Sequence, residues 1–332
     1  MWYPLNVTLD LTHDCNLNCS FCFLNFSTEH KLIKEKKNLS YEEIKKIVFS
    51  LNCRKTNFFL TGGEVTLRRD LPDIVKIIKN NGFRCGIFTN AIQLTPSLSD
   101  VLVKHGLDYI LFSLDGPRDI HDNLRAPGVF DKIQSNIAYI SGKADSRTKI
   151  IMNVIILEQN YKRLLEVIDI ARALRVNTVA FDFLTFLTTE EFTMHKEFMG
   201  KELFVKEAAS LVYVKDFQKK LKPKLSEVVE DVKKYAKDKK INIIFKPDLT
   251  KKEMDYWFES DFKLRRRCVY PWNVIRIAPN GDVYPCAQFC FPMGNVHQMP
   301  LKKIWNSHKF CEFRRTLKKA NLFPGCNRCV KL

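Results

Sequence analysis

The sequence has no apolar run approaching the roughly 18 residues that a membrane-spanning helix requires. Its amino terminus, MWYPLNVTLDLTHDC, has no charged segment leading into an apolar core, which excludes a secretion signal. A cytoplasmic protein is the expectation. Tandem repeats and low-complexity tracts are missing, which argues against a solenoid or a linker-rich chain. No helix-turn-helix, zinc-finger or RNP pattern accompanies the net charge of +17, so nucleic acid is not an expected partner. Acidic residues are scarce in one region only. Residues 1–200 balance 25 Lys+Arg against 23 Asp+Glu, whereas 201–332 hold 29 against 14. That last third is either a solvated lysine-rich surface or a docking face for something acidic.

What is present is a chain of 332 residues, 45% hydrophobic, long enough for one large domain and a smaller module. It holds eleven cysteines, which in a reducing compartment point to metal or redox chemistry rather than disulfides. Cys15, Cys19 and Cys22 gather near the amino terminus, and Cys268, Cys286, Cys326 and Cys329 near the carboxyl terminus. Cys53, Cys85, Cys290 and Cys311 stand singly and read as packed thiols, with Cys290 and Cys311 as weak candidates for a hydrogen donor.

Residues 5–185 alternate β-rich runs with amphipathic helical segments. Strands are expected at 5–9, 57–61, 84–89, 109–113, 149–155 and 178–183. Six βα units imply parallel strands with right-handed crossovers, too few to close an eightfold barrel. The expected class is α/β, a partial (β/α)6 TIM-like barrel over 1–190. A helical linker region is expected over 191–262, with a strand-like INIIFK inside it. A small α+β module follows over 263–332, with a hairpin turning at Asn280-Gly281.

The segment THDCNLNCSFCFL places three thiols at CxxxCxxC spacing just after the first strand. Three thiolates can hold three irons of a [4Fe-4S] cube and leave the fourth open to a ligand. The alternative is a zinc site with a distant fourth ligand. The four carboxyl-terminal cysteines make a tetrathiolate set that zinc or a [4Fe-4S] cluster would accept.

In these motifs the chain resembles the radical S-adenosylmethionine (SAM) superfamily. The resemblance extends to Phe21 before the last cysteine, where family members pack a ring against adenine, and to Thr61-Gly62-Gly63-Glu64 after the second strand. It implies that Gly62, Gly63 and Glu64 grip the SAM amino group; Val65 replaces the family's usual proline. It further implies SAM contacts for Asn90, for Ser113 and Asp115 of FSLDG, for Arg125 at the carboxylate, and for Asn153 and Leu184 at ribose and adenine. The string C…GDVYPC…GN…IWNS…CxxC resembles the SPASM/twitch extension, which implies one auxiliary [4Fe-4S] cluster held by Cys268, Cys286, Cys326 and Cys329.

The implied activity is reductive cleavage of SAM to a 5′-deoxyadenosyl radical that takes hydrogen from a substrate. Net oxidation through the auxiliary cluster is expected, making the protein an oxidoreductase. An acidic electron donor such as flavodoxin or ferredoxin would suit the basic last third. A sugar, cyclitol or nucleotide-like substrate is expected, because the first strand begins too near Met1 for a leader-recognition domain. A peptide maturase is the alternative, and a non-catalytic iron–sulfur or zinc scaffold the alternative outside catalysis.

Overall fold

The computed structural model describes residues 3–22, 24, 37–51, 56–143, 147–205, 213–216, 224–286, 288 and 291–332. Cys53 and Cys290, and parts of the expected helical stretch between 190 and 240, lie outside these residues.

The strands in chain order are β1 (Asn6–Thr12), β2 (Asn57–Gly62), β3 (Arg84–Thr89), β4 (Tyr109–Ser113), β5 (Lys149–Ile156) and β6 (Thr178–Phe183). Short β7 (Phe186–Leu187) and β8 (Tyr213–Val214) pair with each other. Then come β9 (Asn242–Lys246), β10 (Val274–Ile277), β11 (Asp282–Tyr284) and β12 (Gly294–Asn295). The main sheet runs β12-β11-β10-β1-β2-β3-β4-β5-β6-β9. The six expected strands therefore pair side by side and in parallel, as βα units demand. Two further parallel strands widen the sheet. β9, inside the region expected to be a helical linker, pairs with β6, and β10 pairs with β1.

Side-chain alternation divides the sheet into two faces. Val7, Leu9 and Leu11 of β1, Phe58 and Leu60 of β2, and Ile110 and Phe112 of β4 are buried in the core. That core includes Ile44, Ile47 and Val48 of α1 (Tyr41–Phe49) and Ile74, Val75 and Ile78 of α2 (Leu71–Asn80). The other face lines a cavity of about 290 Å3 with Thr8, Phe59, Phe88, Leu111, Asn153 and Asp182. One face thus makes stability, and the other makes the site.

The carboxyl-terminal module is a continuation of the sheet. β10 and β11 form the expected antiparallel hairpin, and Gly281 at its turn has φ +83°, where a Cβ would meet His297 at 2.8 Å. Helix α3 (Thr189–Leu203) starts with a capping box, Thr188 and Glu191. Helix α4 (His308–Ala320) buries Phe310, Phe313, Arg314 and Leu317. No helix among the described residues is long and apolar enough to cross a membrane.

Candidate active site

Cys15, Cys19 and Cys22 lie in the loop leaving the carboxyl-terminal end of β1, the edge where parallel barrels build their sites. The segment after β2 holds that loop in place. Gly63 N–H donates to the Thr12 carbonyl (2.7 Å) and Glu64 N–H to the Asp14 carbonyl (2.8 Å). A Cβ on Gly62, at φ +132°, would stand 2.2 Å from the Thr12 oxygen, and one on Gly63 2.2 Å from that of Asp14. The glycine pair is thus required by the chain's own cysteine loop.

The Glu64 carboxylate is fully buried. It accepts from Thr66 N (3.0 Å), Thr66 Oγ1 (2.6 Å), Thr89 Oγ1 (2.5 Å) and Asn90 N (2.6 Å). Burial pushes its pKa up, opposed by these donors. Asn90 carries the link onward, donating to Asn16 Oδ1 (2.7 Å) with its amide nitrogen 4.0 Å from Cys15 Sγ.

Beyond β4, Asp115 is fully buried and bound to Arg125 (Nε–Oδ2 2.6 Å), while its Oδ1 accepts from Ile155 N (3.0 Å). Arg125 Nη1 stands 3.7 Å from Cys19 Sγ, and the guanidinium lies 5.3 Å from the Phe21 ring. Burial raises the pKa of the Cys15 and Cys19 thiols, and the Arg125 charge opposes this. Burial would weaken the Arg125 charge, but Asp115 and the neighbouring thiols outweigh it. Ser113 and Asn153 are buried opposite one another in register. Three soft thiols beside a fixed guanidinium fit a [4Fe-4S] cluster.

Phe21, Gly62, Asn153 and Leu184 line the cavity. Gly63, Glu64, Asn90, Ser113, Asp115 and Arg125 are absent from its lining. The cavity also holds charges that the motif reading missed. Arg276 of β10 pairs with buried Asp10 of β1 (Nε–Oδ2 2.7 Å). Asp182 of β6 faces Lys246 of β9 at 3.9 Å, in direct register. Asp182 Oδ1 and Thr185 Oγ1 are buried without a hydrogen-bond partner among the described residues. Burial raises the Asp182 pKa and lowers that of Lys246. The available signal was a lone charge in each apolar strand: TVAFDF, NIIFK and VIRI.

Cys268, Cys286, Cys326 and Cys329 converge on a second, small recess, roofed by Phe313 and Leu317 of α4. Burial raises the thiol pKa of Cys268, Cys326 and Cys329, the last to about 12; Cys326 also feels the other three thiols. Among the described residues no group of three His, Cys, Asp or Glu is spaced to hold a single metal ion. Arg328, between the last two cysteines, is 1% exposed and was not singled out in the sequence. It donates to Glu191 of α3 and to the Trp257 carbonyl (2.7 Å), fastening the CxxC segment to the body. Tyr270, Gln288 and Lys331 line both the recess and the large cavity.

Residues 9–171 match the radical SAM superfamily, and residues 268–330 match SPASM, an iron–sulfur cluster-binding domain. The chain is 23% identical to the tungsten-containing aldehyde ferredoxin oxidoreductase cofactor-modifying protein of Pyrococcus furiosus, over 97% of this chain and 86% of that protein. It is 24% identical to the AdoMet-dependent heme synthase of Methanosarcina barkeri, over 98% and 88%. Its fold is like that of Streptococcus suis SuiB bound to the precursor peptide SuiA. The TM-score is 0.65 at 15% identity, covering 94% of this chain and 67% of that one. The chain belongs to the SPASM-containing subgroup of the radical SAM superfamily, as an enzyme using SAM with a [4Fe-4S] cluster and an auxiliary iron–sulfur cluster.

Proposed function

We propose that the enzyme oxidises a small polar molecule, of sugar, cyclitol or nucleotide-like chemistry, inside the 290 Å3 cavity. In this reading Cys15, Cys19 and Cys22 hold the catalytic cluster, and Cys268, Cys286, Cys326 and Cys329 the auxiliary one. Together the bound groups supply a hydrogen-abstracting carbon radical and an electron acceptor. Glu64 and the glycine pair keep the cysteine loop in place, and Arg125 balances its negative charge. Phe21, Asn153 and Leu184 bound the space for SAM. Asp182, Thr185 and Lys246 offer an acceptor, a hydroxyl and a donor to a polar substrate group.

The observation carrying net oxidation is the shared wall of Tyr270, Gln288 and Lys331. A substrate in the cavity would lie one layer of side chains from the auxiliary recess. An acidic flavodoxin or ferredoxin is the proposed source of reducing electrons, on the strength of the basic last third.

A peptide substrate is the second reading. It is favoured by β9, a sheet-edge strand with Ile244 48% exposed, a geometry that can accept an added strand. Anaerobic enzyme with reductant and SAM, given small-molecule or peptide fractions of a cell extract, separates the two. Stimulated 5′-deoxyadenosine release with the small-molecule fraction supports the first reading; stimulation by the peptide fraction alone overturns it.

A further inference from the structure

Residues 263–269, KLRRRCV, approach the auxiliary recess along the surface. Lys263, Arg265 and Arg267 are exposed, and Val269, next to Cys268, is 64% exposed. Arg267 Nε donates to Asn321 Oδ1 (3.2 Å), and Cys268 N–H reaches the Asn321 carbonyl (3.5 Å). The segment therefore lies against the carboxyl-terminal end of α4. On that helix Phe313 and Leu317 turn inward to the four cysteines, while Arg315, Lys318 and Lys319 are exposed. Their i, i+3, i+4 spacing sets these three on one outer face.

None of the six cations forms an ion pair among the described residues. Glu312, the acidic residue of α4, faces His308 at 3.8 Å. Six like charges on one face, with no counter-charge paired to them among the described residues, make a surface complementary to an acidic partner. An exposed apolar residue beside a basic rim has the anatomy of a protein-docking patch. A helix is about 10 Å across, so this patch is the outside of the wall whose inside is the auxiliary recess.

We propose that an acidic one-electron carrier protein docks on the face formed by 263–269 and the outer side of α4, and takes an electron from the auxiliary cluster there. This goes beyond the proposed function by giving the electron an exit, and it rests on the reading that the four cysteines hold that cluster. The step balances: one electron leaves the reduced cluster, the carrier is reduced by one electron, and no bond is made or broken. An acidic flavodoxin in its oxidised state is the probe carrier.

The test follows re-oxidation of the photoreduced auxiliary cluster by stopped-flow absorbance in the full-length Cys22→Ala protein, with the oxidised flavodoxin or with ferricenium, a small cation. Iron content and the cluster's EPR signal are measured first, alongside Cys326→Ala. Flavodoxin should act at least about tenfold more slowly on Arg315→Glu/Lys318→Glu/Lys319→Glu, with a steep fall as salt rises to about 0.5 M. Ferricenium should show neither the slowing nor that fall. Equal rates of flavodoxin on both proteins would overturn the docking site while leaving the cluster assignment intact. An EPR signal unaltered by Cys326→Ala would instead overturn the cluster assignment on which it rests. If the charge reversal abolished retention on anionic vesicles without slowing flavodoxin, the patch would be a lipid-binding surface and the proposal wrong.

Discussion

Glu64 shows how much of a recognisable motif residue's surroundings the fold supplies. Its type and position are plain in TGGEV, but its partners Thr89 and Asn90 lie 25 and 26 residues away and become neighbours only when β2 and β3 pair. Glu64→Ala would leave several buried donors unsatisfied, each costing about 1–3 kcal/mol. The expected result is loss of catalytic iron together with a SAM affinity at least tenfold weaker, read by iron assay and equilibrium dialysis; full iron loading with weakened SAM binding would return the carboxylate to direct contact. Arg125 is the counterpart at Cys19. Arg125→Ala would strand buried Asp115, and removing one partner of such a pair costs about 3–5 kcal/mol. His121 adds a pH dependence. Buried, with Nδ1 accepting from Asp115 N (3.1 Å), its pKa is lowered to about 4. Between the ordinary histidine value and 4 the unfolded chain takes a proton that the folded chain refuses, so stability falls as pH drops through that window. Urea unfolding of His121→Gln should therefore show a shallower loss between pH 7 and 5 than wild type. A parallel loss in both would exclude His121 as the source.

At the scale of elements, the six βα strands and the hairpin were legible because they are local patterns of alternation and turn chemistry. The two strands that widen the sheet were visible as β-rich runs without revealing their partners. β9 pairs with β6 some sixty residues earlier, and β10 with β1 across most of the chain. No local pattern encodes such a pairing. Charged residues in those strands, Lys246 and Arg276, consequently reached the cavity unannounced. Arg328 is similar: it sits inside a plain CxxC, and its importance comes from Glu191, 137 residues away, at the start of α3. Arg328→Met should lower auxiliary iron occupancy and thermal stability while the amino-terminal cluster keeps its iron. Equal loss from both sites would mean general unfolding rather than release of the CxxC segment.

For the whole molecule, the carboxyl-terminal recess and the large cavity share Tyr270, Gln288 and Lys331 as a common wall, and Phe21 of the amino-terminal cysteine loop lines the same cavity. The cysteine sets were apparent from spacing, but the module that carries the second set joins the sheet through the pairing of β10 with β1, which spacing does not reveal. The lumen's polar end, Asp182, Thr185 and Lys246, is expected to govern substrate rather than SAM. Lys246→Met should leave SAM binding within twofold of wild type but reduce the stimulation of SAM cleavage by an active extract fraction at least tenfold. A matching fall in SAM affinity would move this group into the SAM site. The charge is uneven, near neutral over residues 1–200 and strongly basic beyond them, and this asymmetry is what the proposed docking of a redox carrier rests on.

The most direct test is the yield of 5′-deoxyadenosine from anaerobically reconstituted, reduced enzyme with SAM, compared among wild type, Cys22→Ala and Cys326→Ala. Wild type should form it, Cys22→Ala should not, and Cys326→Ala should cleave SAM without completing the oxidation. Equal, negligible yields from wild type and Cys22→Ala under every condition would contradict the assignment of Cys15, Cys19 and Cys22 as the catalytic centre.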